Sequence, residues 1–353
     1  MVILSQLRRR ATDMTSVAQF QAFVGIDYHD SVVQVCVLDA AGEILGNEGL
    51  PNEVAAILEY VGRVAEGRIV AAAAIEACCG AANLAQRLRE EGWEIDLAHA
   101  GICARMKQNP DKTDYSDAHL LADLVRIGYL PRVWLPPEAI RDLRRLVRYR
   151  QQLVDRRRNI KLRIRAMLRE ERIVAPQEAG NVWTKAWKAW LKTRLALGPH
   201  SRWIMYEHLA DLEHVAAKIR EVESRMEEAT QDDRVVAKLR EERGVGLVTA
   251  VVMRAEIGSF GRFRNGKQLA RYCAVTPKNA SSGKRQADGG LIKAGNLYLR
   301  GMLIEAAHRL ARYVPKWRSL KEQLKSRGKP AAVAAAAVAN RWIRQLYWQM
   351  IAV

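Results

Sequence analysis

The sequence has few features of a secreted or membrane protein. It contains five cysteines, and none of them forms the Cys-x-x-Cys spacing of a zinc site or a disulfide framework, so their number fits a reducing compartment. No run of 18 or more apolar residues is present, which predicts that no helix crosses a membrane. The first 20 residues lack the apolar segment of a signal peptide. These absences predict a cytoplasmic protein.

Acidic residues are also scarce relative to basic ones. The 353 residues include 57 Lys and Arg but only 39 Asp and Glu, which gives a net charge of +18. Such an excess indicates a polyanionic partner, and we expect nucleic acid rather than a membrane surface. The length indicates two or three domains, with enough chain for a substantial hydrophobic core.

The first hundred residues alternate between patterns typical of strands and of helices. Residues 22–27 and 32–38 predict two strands, and the turn residues 39–42 join the second to a short strand at 43–46, so these strands pair antiparallel. The apolar run 69–75 predicts a strand that is buried on both faces. The remaining predicted elements are helices at 52–66 and 82–91 and a strand at 94–98. The pattern predicts an α/β domain.

Four acidic residues occupy positions where packing does not require them. Asp27 and Glu76 end the apolar runs of two predicted strands. Asp114 and Asp117 stand at the start of a helix that is predicted from Ala118 onward. Each acid alone has an ordinary explanation, since an acid near a helix N-terminus stabilises the helix by about 0.3–1 kcal/mol. Together at one sheet edge, the four would supply the oxygen ligands that two Mg²⁺ ions need to bind a phosphodiester, and in a strongly basic chain we favour this hypothesis.

Two long helices are predicted in the middle of the chain, over residues 138–171 and 203–228. Apolar residues recur in both at seven-residue intervals, which predicts an antiparallel coiled-coil arm or a dimer seam. Residues 141–172 include thirteen Arg and Lys but four Asp and Glu, an excess too large for an ordinary solvated helix face. We therefore expect the arm to lie along nucleic-acid phosphates. The arm residues expected to make these contacts are Arg156, Arg157 and Arg158.

The last third of the chain carries a glycine turn and a polar serine loop. A turn at Gly244 and Gly246 between two helices would expose backbone N–H groups to phosphates, although such turns are common. Ser282 stands in a loop that ordinary composition also explains, but a serine in a strongly cationic setting can act as a nucleophile. The cations that could hold a scissile phosphate beside Ser282 are Lys278, Lys284, Arg285, Lys293 and Arg300.

Taken in order, these segments resemble the insertion sequence 110 family of DEDD transposases, which is related to the Piv DNA invertases. The motifs that carry the resemblance are Gly25-Ile26-Asp27, Ile75-Glu76-Ala77, Lys112-Thr113-Asp114 with Asp117, Gly244-Val245-Gly246, Thr276-Pro277, Ser282-Gly283, Lys293 with Gly295, and Leu299-Arg300. They cover nearly the whole chain. The sequence departs from the family pattern at Cys78-Cys79 and at Arg243, and Ser281 is an adjacent candidate for the nucleophile.

The resemblance implies a fold, a chemistry and a set of partners. It implies a RuvC-like domain of the RNase H fold at 1–130, a coiled-coil arm at 131–233 and a mainly helical transposase domain at 234–353. It also implies that the four acids bind Mg²⁺ and that Ser282 attacks DNA to form a covalent phosphoserine. The implied partners are donor and target DNA, a structured guide RNA from the element and further copies of the chain in a homodimer or homotetramer. In such an assembly the serine of one subunit meets the carboxylates of another, in a nucleoid-associated cytoplasmic protein.

Two other functions stay open from the residues. A RuvC-like nuclease would cut DNA with metal-activated water, and its serine would only position a phosphate. A non-catalytic RNA-binding scaffold would depend on the basic arm, and its acids would be structural. A protein–DNA adduct that survives denaturation distinguishes the recombinase from the nuclease, whereas loss of function on removal of the acids distinguishes both enzymes from the scaffold.

Overall fold

The computed structural model describes residues 20–107, 113–193, 196–279 and 288–353. The chain divides into two compact units, Met1–Leu135 and Pro136–Val353. Within the described residues, no helix is both long enough and apolar enough to cross a membrane.

The first unit is an α/β domain built on one mixed sheet. Its described strands are β1 (Gln21–Tyr28), β2 (Val32–Asp39), β3 (Ile44–Pro51), β4 (Ile69–Glu76), β5 (Ile95–Ala98) and β6 (Arg132–Val133). Its described helices are α1 (Val54–Val64), α2 (Ala81–Glu90), α3 (Ala100–Met106) and α4 (Asp114–Arg126). The strand order is β3-β2-β1-β4-β5-β6, in which β4 and β5 run parallel to β1 and each of the other pairs is antiparallel. The predicted α/β class of this part of the chain is confirmed.

Side-chain alternation along β1 decides which helices cover each face of the sheet. Val24 and Ile26 pack into a core with α1 and α2, whereas Gly25 points to the opposite face, against α4. A Cβ atom at Gly25 would lie 2.0 Å from the carbonyl oxygen of Ala118 and 2.4 Å from the backbone nitrogen of Ala122. The glycine therefore allows α4 to lie directly on the sheet beside β1.

The first unit ends at Leu135, because Arg132–Val133 pairs with β5 and Leu135 packs against the core of this unit. The predicted domain bounds, with a first domain at 1–130, stay a prediction. The predicted division at residue 233 stays a prediction, and described side chains from both sides of that point share one buried core.

The second unit is mainly helical, as predicted. Its described helices are α5 (Glu138–Glu170), α6 (Lys185–Thr193), α7 (Pro199–Glu228), α8 (Arg234–Arg240), α9 (Leu247–Ile257), α10 (Gly266–Tyr272), α11 (Leu297–Tyr313), α12 (Pro315–Ser326) and α13 (Ala331–Met350). The strands β7 (Pro277–Asn279) and β8 (Asp288–Leu291) pair antiparallel. One apolar core runs from α5 and α7 to the terminal helix α13.

The two long helices α5 and α7 pack antiparallel. Arg150 on α5 pairs with Glu223 near the end of α7 at 2.6 Å, and Arg156, farther along α5, pairs with Asp211, farther back on α7, at 3.5 Å. Members of the predicted seven-residue repeats are buried between them, namely Leu153, Ile160, Met205, Leu212, Ile219 and Met226. The helix α7 begins at Pro199, before the predicted start, because proline is favoured in the first helical turn. The coiled-coil geometry stays a prediction.

Candidate metal centre

The strands β1 and β4 end side by side with an acid on each. They run parallel, and Ile26 pairs with Ile75 across them. Asp27 and Glu76 are the next residues on the two strands, so they lie at the same height. Because side chains alternate along a strand, both acids point to the face that Gly25 shares, which is the face covered by α4.

The helix α4 brings the other two predicted acids to this sheet edge. It begins at Asp114, four residues before the predicted start at Ala118. The cause is Thr113, whose side-chain oxygen accepts a hydrogen bond from the backbone N–H of Ser116 at 3.2 Å and so caps the helix. Asp114 and Asp117 therefore both lie in the first turn, on one side of the helix.

An imidazole that the sequence interpretation missed lies between two of the acids. His29 stands just after β1, and its Nε2 atom lies 3.4 Å from Oδ2 of Asp27 and 3.4 Å from Oδ1 of Asp114. One ligand atom from each of these three residues lies within 4.8 Å of the others, close enough to share one cation. The signal in the sequence is the spacing, since side chains two positions apart on a strand point to the same face, and His29 is two positions after Asp27.

Asp117 is a buried carboxylate in contact with a lysine. Its side chain is 4% exposed, and its Oδ1 atom contacts Nζ of Lys107 at the end of α3. The ammonium of Lys107 offsets the burial of this carboxylate and stands where a cation would bind. An anionic oxygen held beside the other acids has the chemistry of a ligand for a hard cation.

The four acids act on one another electrostatically. Burial is the main cause that raises the pKa of Asp27 above its ordinary value of 3.8, and the nearby His29 opposes it. Three neighbouring carboxylates raise the pKa of Asp27 further, namely Asp117, Asp114 and Glu76. A divalent cation relieves mutual repulsion of this kind. The structure thus places all four predicted acids near one sheet edge, and among the described residues Asp27 and Asp114 come within sharing distance of one cation, together with His29.

The donor set favours a hard divalent cation. Carboxylate oxygens with one imidazole suit ions such as Mg²⁺ and Mn²⁺, whereas neighbouring thiols do not add to the set. Burial is the largest cause that raises the pKa of the Cys78 thiol, and the charges of Glu76 and Asp27 raise it as well. Burial likewise raises the pKa of Cys103. The arrangement can hold a divalent metal and, through it, a phosphodiester.

The predicted serine loop is only partly described. Three predicted residues lie outside the described part of the chain: Ser282, Lys284 and Arg285. Lys278 is exposed in β7, and Lys293 is exposed just after β8. Arg300 donates a hydrogen bond from Nη1 to the carbonyl oxygen of Ile292 at 3.1 Å, which joins α11 to the end of β8. Lys278 and Lys293 therefore flank the loop, whereas Arg300 is directed to the backbone just after β8.

The glycine turn precedes α9. Gly244 has a φ of +86°, a conformation that side chains disfavour, and an added Cβ would lie 3.0 Å from Cβ of Arg309. Gly246 is the residue directly before α9.

The predicted arm arginines differ in their partners. Arg156 forms an ion pair with Asp211, whereas Arg157 and Arg158 form no ion pair with a residue that the structure describes.

A buried glutamate in the second unit was not predicted. Glu256, near the end of α9, is 1% exposed and accepts hydrogen bonds from Nε and Nη2 of Arg148 at 2.8 and 2.9 Å. It also accepts one from Nδ2 of Asn296 at 2.8 Å, and Asn296 caps α11 by accepting from the backbone N–H of Leu299 at 3.0 Å. Glu256 therefore ties the arm helix α5 to the segment that follows the serine loop. The signal in the sequence is an acid within a largely apolar helix.

Comparison with known proteins finds transposases for both parts of the chain. A protein-family model for the DEDD transposases of insertion sequence 110, described as "Transposase", matches residues 24–172. A second model, described as "Transposase IS116/IS110/IS902 family", matches residues 236–322.

Individual relatives are similar over most of the chain. A putative transposase, y4qE, of Sinorhizobium fredii is 31% identical over 238 residues, which cover 66% of this chain and 57% of the relative, less than two thirds of its length. A probable family 20 transposase of Pseudomonas aeruginosa is 27% identical, with 78% of this chain and 82% of the relative covered. The transposase for insertion sequence element IS1111A of Coxiella burnetii is 25% identical, with 90% of this chain and 86% of the relative covered.

Proposed function

This chain belongs to the insertion sequence 110 family of transposases, and from that premise we propose that it cuts and rejoins DNA with the acidic centre of its first unit. The observation that carries the proposal is the convergence of four carboxylates and one imidazole where β1, β4 and α4 meet. The net charge of +18 supports a polyanionic substrate. The mixed sheet, covered on one face by α4, supports a RuvC-like fold for this unit.

Asp27, Glu76, Asp114 and Asp117 would hold Mg²⁺ in this centre. The metal would supply a Lewis acid that neutralises charge developing on the phosphodiester. Asp27 and Glu76 are fixed by the sheet, and the two acids of α4 are fixed by the close contact of that helix with Gly25, so the ligands are held before DNA binds. His29 contacts two of the acids and would orient them.

Ser282 would provide the nucleophile for strand cleavage. Its Oγ would attack the phosphorus and lose its proton, the bond from phosphorus to a sugar oxygen would break, and that oxygen would leave as a hydroxyl after taking a proton. The new phosphoserine bond keeps the phosphodiester energy, so the reverse attack by a sugar hydroxyl would rejoin a strand. The cations on the flanks of the loop support this role, since they would stabilise the charge on the attacked phosphate.

A guide RNA and an assembly of several copies belong to the same proposal. The resemblance to the family supports both, and the excess of basic residues on α5 supports contact with a nucleic acid in addition to the cut strand. The antiparallel pair α5 and α7 would form the coiled-coil arm. In a dimer or tetramer, the serine of one subunit would act at the acids of another.

Trapping of a covalent protein–DNA adduct tests the proposal. Labelled DNA that carries the ends of the element is incubated with Mg²⁺, the protein and its RNA, denatured, and separated by size. We expect an adduct with the wild-type protein and none with Ser282→Ala or Asp114→Ala. Ser281→Ala is the matched control, and it should form the adduct. Adduct formation by Ser282→Ala would overturn the assignment of the nucleophile.

A second candidate function is a metal-dependent nuclease that uses water. The observation that favours it is that the described acids form their centre within the first unit alone. This enzyme would give Mg²⁺-dependent cleavage that Asp114→Ala abolishes and Ser282→Ala leaves intact, with no adduct. If the acid variants kept full function, the chain would instead be an RNA-binding scaffold with structural acids.

A further inference from the structure

The outer side of α13 carries arginines and a tryptophan at helical spacing. The inner side of this helix is buried through Trp342, Ile343, Leu346, Tyr347 and Met350. Arg341, Arg344 and Trp348 are spaced by three and four residues, so they share the opposite side, and all three are exposed. This helix lies beyond residue 322, where the second family model ends. No role in the proposed cleavage reaction accounts for these side chains.

These side chains line a shallow groove with the start of α10. The groove has a volume of about 610 Å³, and its lining residues include Asn265, Lys267, Arg341, Arg344, Gln345 and Trp348. Three of them are cations, and none is an acid. Lys267, Arg341 and Arg344 form no ion pair with any residue that the structure describes. Like charges gathered in this way repel one another, so the groove favours an anion.

Trp348 presents an aromatic ring beside these cations. The residue is 62% exposed, which is unusual for the largest apolar side chain. Its ring is held edge-on by the ring of Tyr347, with 5.0 Å between the ring centroids. Tyr347 is fixed in turn, because its hydroxyl donates to the carbonyl oxygen of Phe263 at 2.7 Å. The indole is therefore supported from within the fold and open to a planar ligand.

We propose that this groove binds an unpaired segment of nucleic acid, with phosphates at Lys267, Arg341 and Arg344 and one base stacked on Trp348. A cationic groove beside an aromatic platform is the arrangement by which proteins hold single strands. Seven residues of helix separate Arg341 from Trp348, a rise of about 10 Å, so the cations and the indole are close enough to contact one short segment of a strand. The inference rests on the proposed function, because that function supplies nucleic acid as the partner.

The same groove is poorly suited to contact with a second copy of the chain. In a symmetric dimer the same surface faces itself, so these cations would meet the same cations of the other copy. Such a contact would repel, whereas phosphates would neutralise it. A double-stranded segment is also disfavoured, since its bases are stacked on one another and cannot lie on Trp348.

Binding of short oligonucleotides by the full-length protein tests the inference. Fluorescein-labelled octamers of thymidylate and of uridylate, and a duplex DNA of equal length, are titrated by fluorescence anisotropy at several salt concentrations. We expect Trp348→Ala to weaken single-strand binding about five-fold or more without changing the salt dependence, and Trp348→Phe to restore most of the affinity. Replacing Arg341 and Arg344 with Gln should flatten the slope of log affinity against log salt by about 1.4.

Trp203→Ala is the matched control, because Trp203 is 63% exposed on α7 and lies outside the groove. Wild-type affinity of Trp348→Ala, or an equal loss with Trp203→Ala, would overturn the inference. Unchanged oligonucleotide binding together with loss of self-association would also overturn it and assign the surface to a contact between copies. The thymidylate and uridylate arms show whether DNA or RNA is the preferred strand.

The oligonucleotide assay does not depend on cleavage. If the acid variants failed to abolish cleavage while Trp348→Ala lost affinity, the proposed function would fail and the binding groove would stand. If Trp348→Ala bound normally while the acid variants lost cleavage, the groove would fail and the proposed function would stand. Circular-dichroism melting of each variant confirms that the protein tested is folded.

Discussion

Replacing Gly25 with alanine tests whether the close contact of α4 with the sheet sets the geometry of the acids. The added Cβ would lie 2.0 Å from the carbonyl oxygen of Ala118, whereas ordinary contact begins at 3.4 Å, so α4 must recede by the difference, about 1.4 Å. Overpacking of this kind costs about 1–3 kcal/mol of unfolding free energy. The acids on α4 would move with the helix while those on the strands stay in place. A displacement of about 1 Å in a catalytic centre lowers the rate by about 100-fold.

Urea unfolding of the first unit and Mg²⁺-dependent DNA cleavage are the two assays for Gly25→Ala. The control is Gly62→Ala on α1, where an added Cβ meets nothing within 4 Å. The control should keep wild-type cleavage, and it should gain up to about 1 kcal/mol because alanine favours a helix more than glycine does. Wild-type stability and cleavage of Gly25→Ala would refute the reasoning that the sheet positions α4.

Three further variants and one mixture test other parts of the account. Folding raises the pKa of Asp27 above 3.8, so the unfolding free energy of the metal-free protein should fall as the pH rises above 3.8 through the pKa of the folded state. Urea unfolding in a chelator at pH 4 and pH 8 measures this fall, and Asp27→Asn should remove it. Glu256→Ala should lower the unfolding free energy of the second unit by about 1.5–3 kcal/mol, since it removes charged hydrogen bonds, whereas Glu305→Ala at an exposed site should stay within about 0.5 kcal/mol. Replacing Arg156, Arg157 and Arg158 with Gln should flatten the salt dependence of nucleic-acid binding by up to about 3, and an unchanged slope would show that this face does not bind phosphates. Mixing the inactive Ser282→Ala and Asp114→Ala proteins should restore some cleavage if the site is shared between subunits, and no recovery despite subunit exchange would place each site within one chain.

The sequence predicted the elements of the first unit that carry a strong local pattern. The apolar runs of β1, β2 and β4 stand out because both faces of the sheet are covered, so nearly every side chain is buried or half-buried. The strand β3 is twice as long as predicted, since the residues directly beyond the predicted end, Asn47-Glu48-Gly49, are not apolar and are held by pairing with β2. The strand β6 is two residues long and depends on β5, and β7 and β8, three and four residues long, are too short to give a local pattern.

The acids of the candidate site were predictable, whereas the groups that surround them were not. Asp27 and Glu76 end buried strands, a position that can be read from the residues themselves. His29 and Lys107 become relevant only because the fold places them within contact distance of acids that are far away in the chain. Glu256 is similar, since the hydrogen-bond donors that compensate its burial come from α5 and from the residue that caps α11.

Divalent-metal-dependent cleavage by matched carboxamide variants tests the central claim most directly. Asp114→Asn and Asp123→Asn both replace one carboxylate oxygen on the same helix with an amide nitrogen. Asp114 lies 3.4 Å from His29 in the acidic centre, whereas Asp123 lies outside that centre and pairs with Arg126 at a distance of 2.6 Å. Calorimetric titration with Mn²⁺ and cleavage of element-end DNA in Mg²⁺ are measured for both. The account predicts that Asp114→Asn loses metal binding and cleavage while Asp123→Asn keeps both. Wild-type cleavage by Asp114→Asn, or an equal loss in Asp123→Asn, would contradict it.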